Sequence, residues 1–391
     1  MEYINNELVF GPYKKPLLPL CANYARPIYV YDLQFLEQRY QKMSEALKGV
    51  RLFYAMKANS HPQVLQKLKS MGAGADVVSL GEIKRALESG FGPEDIVYSG
   101  VGKTRFEIEE ALRLGIYQIN VESLPELERI GEMAAAKSMK ASIALRLNPD
   151  IDIKTHPYIA TGLKDNKFGM ELSLIPALIA CLQKYKSSLE LVGVSLHLGS
   201  QMLEFAGYQE ALLRLKNVYR DLQAQFPSLQ RFDFGGGLGI FYDRQDLALE
   251  ESLLQEYAQI TLSTLTDLNA SLQSEPGRWL MGHCGVLISQ VQYIKKTSQK
   301  TFAIIDAGMN HLIRPSLYEA HHEIIPLVKK SGAMVCDIVG PICESSDFFA
   351  KDRSITGVAE GDFVAVMDSG AYGYSMASQY NLQDLPLEIC I

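Results

Sequence analysis

The run FYAMK carries an apolar stretch straight into Lys57. An ammonium placed there would be desolvated, its pKa would fall, and the neutral amine would become a nucleophile toward an aldehyde. A lysine standing alone at a strand end reads instead as a side chain snorkelling to water. Lys57 does not stand alone. Asp76 closes GAGAD, Glu122 follows QINV, Arg146 lies within SIALRL, His197 closes VGVSLH and Glu275 closes LQSE. Between the last two, FDFGGGLGI sets Gly235, Gly236 and Gly237 in a row, giving backbone amides with no side chain in the way, suited to cradling a phosphate. Position 240 is Ile, so the G-x-G-x-x-G dinucleotide fingerprint is absent, and no Walker pattern occurs. No His or Cys grouping has metal-ligand spacing, and His321-His322 reads as an ordinary helix or loop pair, so no metal is expected.

Each of these residues falls at or near the end of a short apolar, β-branched run. The runs are Arg51–Met56, Gly74–Val78, Ile96–Ser99, Gln118–Val121, Ser142–Leu147, Val192–His197, Phe232–Gly235 and Leu272–Glu275. Between them lie PQVLQKLKSMG, LGEIKRALESG, RFEIEEALRLG, PELERIGEMAAAK and YQEALLRLKNVYRDLQAQF, which repeat apolar residues at i, i+3 and i+4. Strands alternating with helices imply parallel βαβ units. Eight units over about 225 residues predict a (β/α)8 barrel, whose usual size is roughly 250. A doubly wound open sheet is the alternative, and the repeat count favours the barrel. Functional residues of such a barrel sit at the C-terminal strand ends and the loops that follow. There, a carboxylate such as Glu275 facing a pyridine nitrogen would keep it protonated and make the ring an electron sink.

After residue 280 the pattern changes to GVLISQVQYI, KTFAIIDAG, AMVCDIVGP and DFVAVMDSG, short β-rich runs separated by turns. These predict a second, all-β domain, sandwich- or barrel-like. The expected division is a cofactor-binding barrel over 28–275 and a β-domain from 1–27 plus 276–391, supplying substrate and dimer-interface residues.

The 391 residues carry 38 Lys plus Arg against 45 Asp plus Glu, a net charge of −7, with a pI near 5.6. No basic patch or Lys/Arg-rich run appears, so neither nucleic acid nor an anionic membrane is an expected partner. The start, MEYINNELVF, has an acid at position 2 and no apolar h-region. No stretch approaches the roughly 20 apolar residues that span a bilayer. The expected location is cytoplasmic. Six scattered cysteines form no C-x-x-C pair, and five of them read as small buried hydrophobes.

The motifs FYAMKANSHP, GADVVSLGEI, HLGSQ, FDFGGGLGI, EPGR, CESSD and GAYG, in this order from about residue 28 to 381, resemble the signatures of the fold-type III pyridoxal-phosphate decarboxylases. That resemblance implies a barrel-plus-β-domain homodimer with pyridoxal 5'-phosphate as cofactor. It implies that Lys57 forms the Schiff base, that His197 stacks on the cofactor ring, and that Asp76 and Glu82 support the lysine and the cofactor. Ser200, Gly236, Gly237, the backbone around Gly277-Arg278, and Tyr372 would hold the phosphate, and Glu275 would face the ring nitrogen. Cys343 and Glu344 would reach the active site from the other subunit, with Cys343 protonating the carbanion.

Four stretches, 148–170, 305–324, 343–353 and 370–381, are similar to the diaminopimelate-decarboxylating members in particular, which implies meso-2,6-diaminopimelate as substrate and L-lysine as product. The far end of that substrate carries a second carboxylate and a second ammonium. Arg278 and Arg314 can each fork onto the carboxylate, Tyr318 and Tyr372 can add donors, and Glu344 can accept from the ammonium. Ornithine or lysine as substrate would leave two buried arginines unpaired. The other possibility is that Arg278 only packs by the phosphate loop and Arg314 pairs with a local acid such as Glu319. Competing activities are a related decarboxylase of carboxynorspermidine, ornithine, lysine or a carrier-bound amino acid, an alanine-racemase-like enzyme, and a non-catalytic binding protein. The sequence departs from the family pattern at Ser346, Phe241, Trp279, His283 and Cys284. Ser346 replaces a usual glycine, which would alter the turn bearing Cys343.

Overall fold

All eight apolar runs between residues 50 and 275 become strands: Arg51–Ala55, Gly74–Val77, Ile96–Tyr98, Gln118–Val121, Ala141–Asn148, Leu189–Ser195, Arg231–Asp233 and Ser271–Ser274. In a computed structural model, which describes residues 2–151, 167–243 and 248–391, they pair in parallel and in chain order. Closure comes from the last strand returning to the first, with Gln273 opposite Arg51 and Ser274 opposite Leu52. The barrel expected from the alternation is therefore present. It belongs to a unit made of Tyr40–Gly239 and Glu251–Arg278.

Local chemistry starts the crossover helices close to the strand ends. Ser79, Thr104 and Ser123 each accept a hydrogen bond from the backbone N–H of Glu82, Glu107 and Glu126, capping Leu80–Glu88, Arg105–Leu114 and Leu124–Ala136. Gly115, at φ 64°, ends the second of these in the left-handed conformation that glycine adopts without steric cost. Phe53, Val97, Ile119, Leu145, Val194 and Phe232 are fully or almost fully buried on these strands. Among them Asp76, Asn120 and Asp233 are also buried. Buried polar groups in such a setting need partners, and those partners form the site below.

The second unit comprises Met1–Arg39, Ile240–Glu250 and Trp279–Ile391. Its axis is the 12-residue strand Gly285–Lys296, paired antiparallel with Thr301–Ile305, Phe363–Val366 and Ile28–Tyr31. Ala333–Val339 and Phe348–Thr356 extend the sheet on one side, while Leu387–Cys390 adds a parallel edge to Ile28–Tyr31. Val286 and Ile288 of the long strand pack with Leu8, Ile28, Val30 and Met367 in one apolar core. The expected β-rich second domain is thus a mixed sheet.

A buried charge cluster lies beside this core. His283 Nε2 is 2.5 Å from Glu250 Oε1 and its Nδ1 is 2.7 Å from Asp368 Oδ1. Arg39 Nη1 reaches Glu250 Oε2 at 3.0 Å, and the Arg39 guanidinium lies 3.9 Å from the centroid of the buried Trp279 ring. Trp279 and His283, which depart from the family pattern, are accounted for here as partners of Arg39, Glu250 and Asp368. Cys343 is exposed and Cys390 half-buried, so four of the six cysteines, not five, are buried hydrophobes.

Candidate active site

The first barrel strand exits into a tight turn, Met56–Ala58, that aims Lys57 across to the second strand. Lys57 Nζ lies 3.3 Å from Oδ2 of the fully buried Asp76. The Lys57 side chain keeps 37% of its surface exposed and meets this carboxylate just beyond the apolar run FYAM. Glu82 folds back on its own helix, Oε2 accepting from the Val78 N–H at 2.8 Å. Burial raises its pKa most, the Val78 bond pulls it down, and Asp76 raises it further, to about 7.

Glu275 leaves the eighth strand and is held by two others. Its Oε1 accepts from Asn120 Nδ2 at 3.1 Å and from Ser99 Oγ at 3.4 Å. Asn120 is itself steered by Gln118, whose Nε2 donates to Asn120 Oδ1 at 2.8 Å. Burial, then the nearby Asp233 and Asp76 carboxyls, push the Glu275 pKa well above the usual range, against the pull of Lys57 and Arg146. Three carboxyl groups thus crowd one barrel interior, and like charges disfavour one another's ionisation.

His197 follows the sixth strand and takes a long contact at Nδ1 from the Gly236 N–H at 3.4 Å. Burial, Arg146 and Lys57 all lower its pKa well below 6.5, so the ring is neutral with its proton on Nε2. Asp233 Oδ1 accepts from the Gly235 N–H at 2.8 Å and shapes the glycine turn. A Cβ on Gly236 would lie 2.1 Å from the Glu275 carbonyl oxygen, and one on Gly237 2.4 Å from that of Gly199. The backbone approaches here tolerate only glycine. Arg278 donates to Ser200 Oγ through Nε at 3.2 Å and Nη2 at 2.9 Å, and Gly277 packs its bare Cα near Ala55 and Ala58. Arg146 is paired with Glu122 at 2.6 Å, and Glu122 also accepts from the Gly169 N–H at 2.9 Å.

The barrel unit therefore collects Lys57, Asp76, Glu82, His197, Ser200, Gly236, Gly237, Glu275, Gly277 and Arg278. The remaining candidates, Arg314, Tyr318, Cys343, Glu344 and Tyr372, belong to the second unit. There Arg314 and Tyr318 lie on the short helix Arg314–Tyr318, and Ser316 Oγ of that helix donates to the Ser346 carbonyl at 2.6 Å. Arg314 Nη1 is bonded to His322 Nε2 at 2.8 Å, a different neighbour from Glu319. Asp347 accepts from the N–H groups of Met309 and Ile342, both at 2.6 Å, and so ties down the turn bearing Cys343 and Glu344. Cys343 N–H donates to Asn381 Oδ1 at 3.3 Å, and Tyr380 OH donates to Glu344 Oε1. Ser346 is not among the left-handed residues, so a side chain at that position carries no backbone strain. Tyr372, by contrast, has φ 56°, a left-handed conformation that a tyrosine adopts only when its surroundings impose it. Residues 152–166 of the stretch 148–170 lie outside the described residues. Among the described residues no group of three or more His, Cys, Asp or Glu could hold a metal ion.

Asn120, Ser99 and Asp233 were not singled out by their types. A polar residue at an inward strand position, as in QINV and RFDF, is the signal that could have found them.

A family model, "Pyridoxal-dependent decarboxylase, pyridoxal binding domain", matches residues 33–282. The chain belongs to the pyridoxal-dependent decarboxylases. Within this family it is 42% identical, over its whole length and 92% of the relative's, to the diaminopimelate decarboxylase of Aquifex aeolicus (strain VF5). It is 45% identical to that of Helicobacter pylori (strain J99 / ATCC 700824) over 95% of this chain and 92% of the relative. A crystal structure of the Helicobacter pylori enzyme complexed with L-lysine superposes with a TM-score of 0.90 at 43% identity, covering 96% of this chain and 93% of that one. A lysine decarboxylase from Selenomonas ruminantium, at 23% identity and a TM-score of 0.85, shares the fold.

The barrel residues fit the cofactor this decarboxylase family is named for. The glycine turn leaves room and backbone amides for a phosphate, and Arg278 and Ser200 add donors beside it. Asp76 Oδ1 is buried with no partner among the described residues, next to the amine that would take the aldehyde. A protonated ring nitrogen is the complement that the crowded Asp76, Asp233 and Glu275 carboxyls call for.

Proposed function

We infer that this chain is a carboxy-lyase that converts meso-2,6-diaminopimelate to L-lysine, with pyridoxal 5'-phosphate as its cofactor. The observation that carries the reading is identity of 40–45% over nearly the full length to enzymes named diaminopimelate decarboxylase. Lysine fits as product on chemical grounds, since it keeps the amino and carboxyl groups of the end that does not react.

Lys57 would hold the cofactor's aldehyde carbon, Glu275 its ring nitrogen, and the Gly235–Gly237 turn with Gly277, Ser200 and Arg278 its phosphate. When bound, the cofactor supplies a protonated aromatic ring that accepts the electron pair left when carbon dioxide departs. Asp76 holds Lys57 at the rim, ready to yield its place to the substrate amine. Asn120 and Ser99 fix the direction of the Glu275 carboxyl. His197, neutral and locked by the glycine turn, presents a flat ring without adding charge. In the second unit, Arg314 and Tyr318 take the distal carboxylate, Glu344 takes the distal ammonium and Tyr372 adds a donor, while Arg278 of the barrel unit serves phosphate and substrate. Cys343 delivers from its thiol the proton that replaces carbon dioxide on the substrate carbon.

The protein acts as a homodimer in this reading, with Cys343 and Glu344 serving the other subunit's site. Their exposed turn supports this, because a proton donor needs to be covered during catalysis. Among the described residues no helix is long and apolar enough to cross a membrane. We place the enzyme in the cytoplasm, where its six thiols stay reduced.

The test is carbon dioxide release by the cofactor-loaded enzyme from meso-diaminopimelate, L-lysine and L-ornithine. Release from diaminopimelate alone is expected. Equal or faster release from lysine or ornithine overturns the substrate assignment.

A further inference from the structure

Arg314 is oriented by an unusual partner. His322, fully buried, places Nδ1 2.7 Å from the Met367 carbonyl oxygen and Nε2 2.8 Å from Arg314 Nη1. A carbonyl can only accept, so Nδ1 carries the proton. A guanidinium can only donate, so Nε2 presents its lone pair. The two neighbours together select one neutral tautomer, and a doubly protonated ring could not satisfy both. Tyr242 completes the setting, its ring 4.5 Å from the Arg314 guanidinium and edge-on to His322 at 5.3 Å.

We propose that His322 is a positioning residue that aims the Arg314 guanidinium at the distal carboxylate of the substrate while adding no charge of its own. The inference rests on the reading of Arg314 given above. Its physical content is a contrast. A carboxylate at position 322 would also hold Nη1, yet it would set a negative charge against the incoming anion and neutralise the arginine that must attract it. A neutral imidazole supplies the geometry and leaves the field intact. Burial, and then the charge of Arg314 itself, hold the His322 pKa down at about 3, so the tautomer persists over the range in which enzymes work.

Three substitutions separate this role from simple packing. His322→Gln keeps an acceptor for Arg314 and a donor for Met367. His322→Leu keeps bulk and removes both. His322→Glu keeps an acceptor and adds charge. Two ligands read the effect: L-lysine, which retains the distal carboxylate, and 1,5-diaminopentane, which has none. Their inhibition constants are measured with kcat and KM for meso-diaminopimelate on cofactor-loaded enzyme.

His322→Leu and His322→Glu are expected to raise KM and weaken lysine by about 30- to 100-fold, the range for losing a charge-assisted bond. Binding of 1,5-diaminopentane should change less than about threefold, and His322→Gln should restore most of the loss. Parallel weakening of both ligands, or no loss of lysine affinity in the Leu and Glu variants, overturns the proposal. Should the Glu variant fail to fold, the Leu and Gln pair decides alone. If wild type does not decarboxylate diaminopimelate, the functional reading fails instead. If it does and Arg314→Ala matters while His322 does not, only this inference fails.

Discussion

His283 gives a pH dependence whose sign follows from its neighbours. Both ring nitrogens face carboxylate oxygens, Glu250 at 2.5 Å and Asp368 at 2.7 Å, so both carry protons and the ring is an imidazolium. Arg39 lies against the far oxygen of Glu250 at 3.0 Å. Burial pulls the His283 pKa down, but the bonds to Asp368 and Glu250 outweigh it and raise the value above 6.5. A folded pKa above the unfolded one stabilises fully below pH 6.5, and that contribution is lost as pH rises through the folded value. Glu250 behaves oppositely. Burial raises its pKa, while His283 and Arg39 bring it from 4.5 down to about 2, so its contribution is present above pH 4.5 and fades toward pH 2. The cluster is strongest between those two limits. Removing one member of a buried charged set costs about 3–5 kcal/mol. With an unfolding entropy of about 0.8 kcal/mol/K for a chain of this length, His283→Leu should lower Tm by about 4–6 °C near pH 6. Thermal unfolding of wild type and variant is followed by circular dichroism from pH 5 to 9. The gap should narrow as pH rises through the raised folded value, where the wild type loses its own proton. A gap that stays constant or widens with rising pH refutes the reasoning.

Lys57→Ala should abolish both turnover and the visible absorbance of the lysine-linked cofactor, and full retention of either excludes the role assigned to Lys57. Arg314→Ala should reduce kcat/KM for diaminopimelate about 10³-fold while cofactor content stays at the wild-type level. An unchanged kcat/KM removes the argument for the distal carboxylate. Gly236→Ala drives a methyl group to 2.1 Å from the Glu275 carbonyl oxygen, so cofactor affinity, measured by fluorescence titration, should weaken about 100-fold or more. Wild-type affinity in this variant would show that the glycine turn does not shape the phosphate site.

The barrel was legible because its signal is local and repeated. Each apolar run lies between amphipathic segments, and the caps at Ser79, Thr104 and Ser123 mark where helices begin. Lys57, Asp76, His197 and Glu275 were legible for the same reason: a strand end is a position that periodicity alone locates. Partners were not. Asn120 meets Glu275 across 155 residues and Ser99 meets it across 176, and only barrel closure makes those strands face one interior. His283 and Asp368 are 85 residues apart and His322 and Met367 are 45 apart, joined by sheet pairing that no local pattern encodes. Protonation followed the same division. Residue type set which groups could titrate, whereas burial and the charges brought alongside by folding decided that His197 and His322 are neutral and His283 is charged.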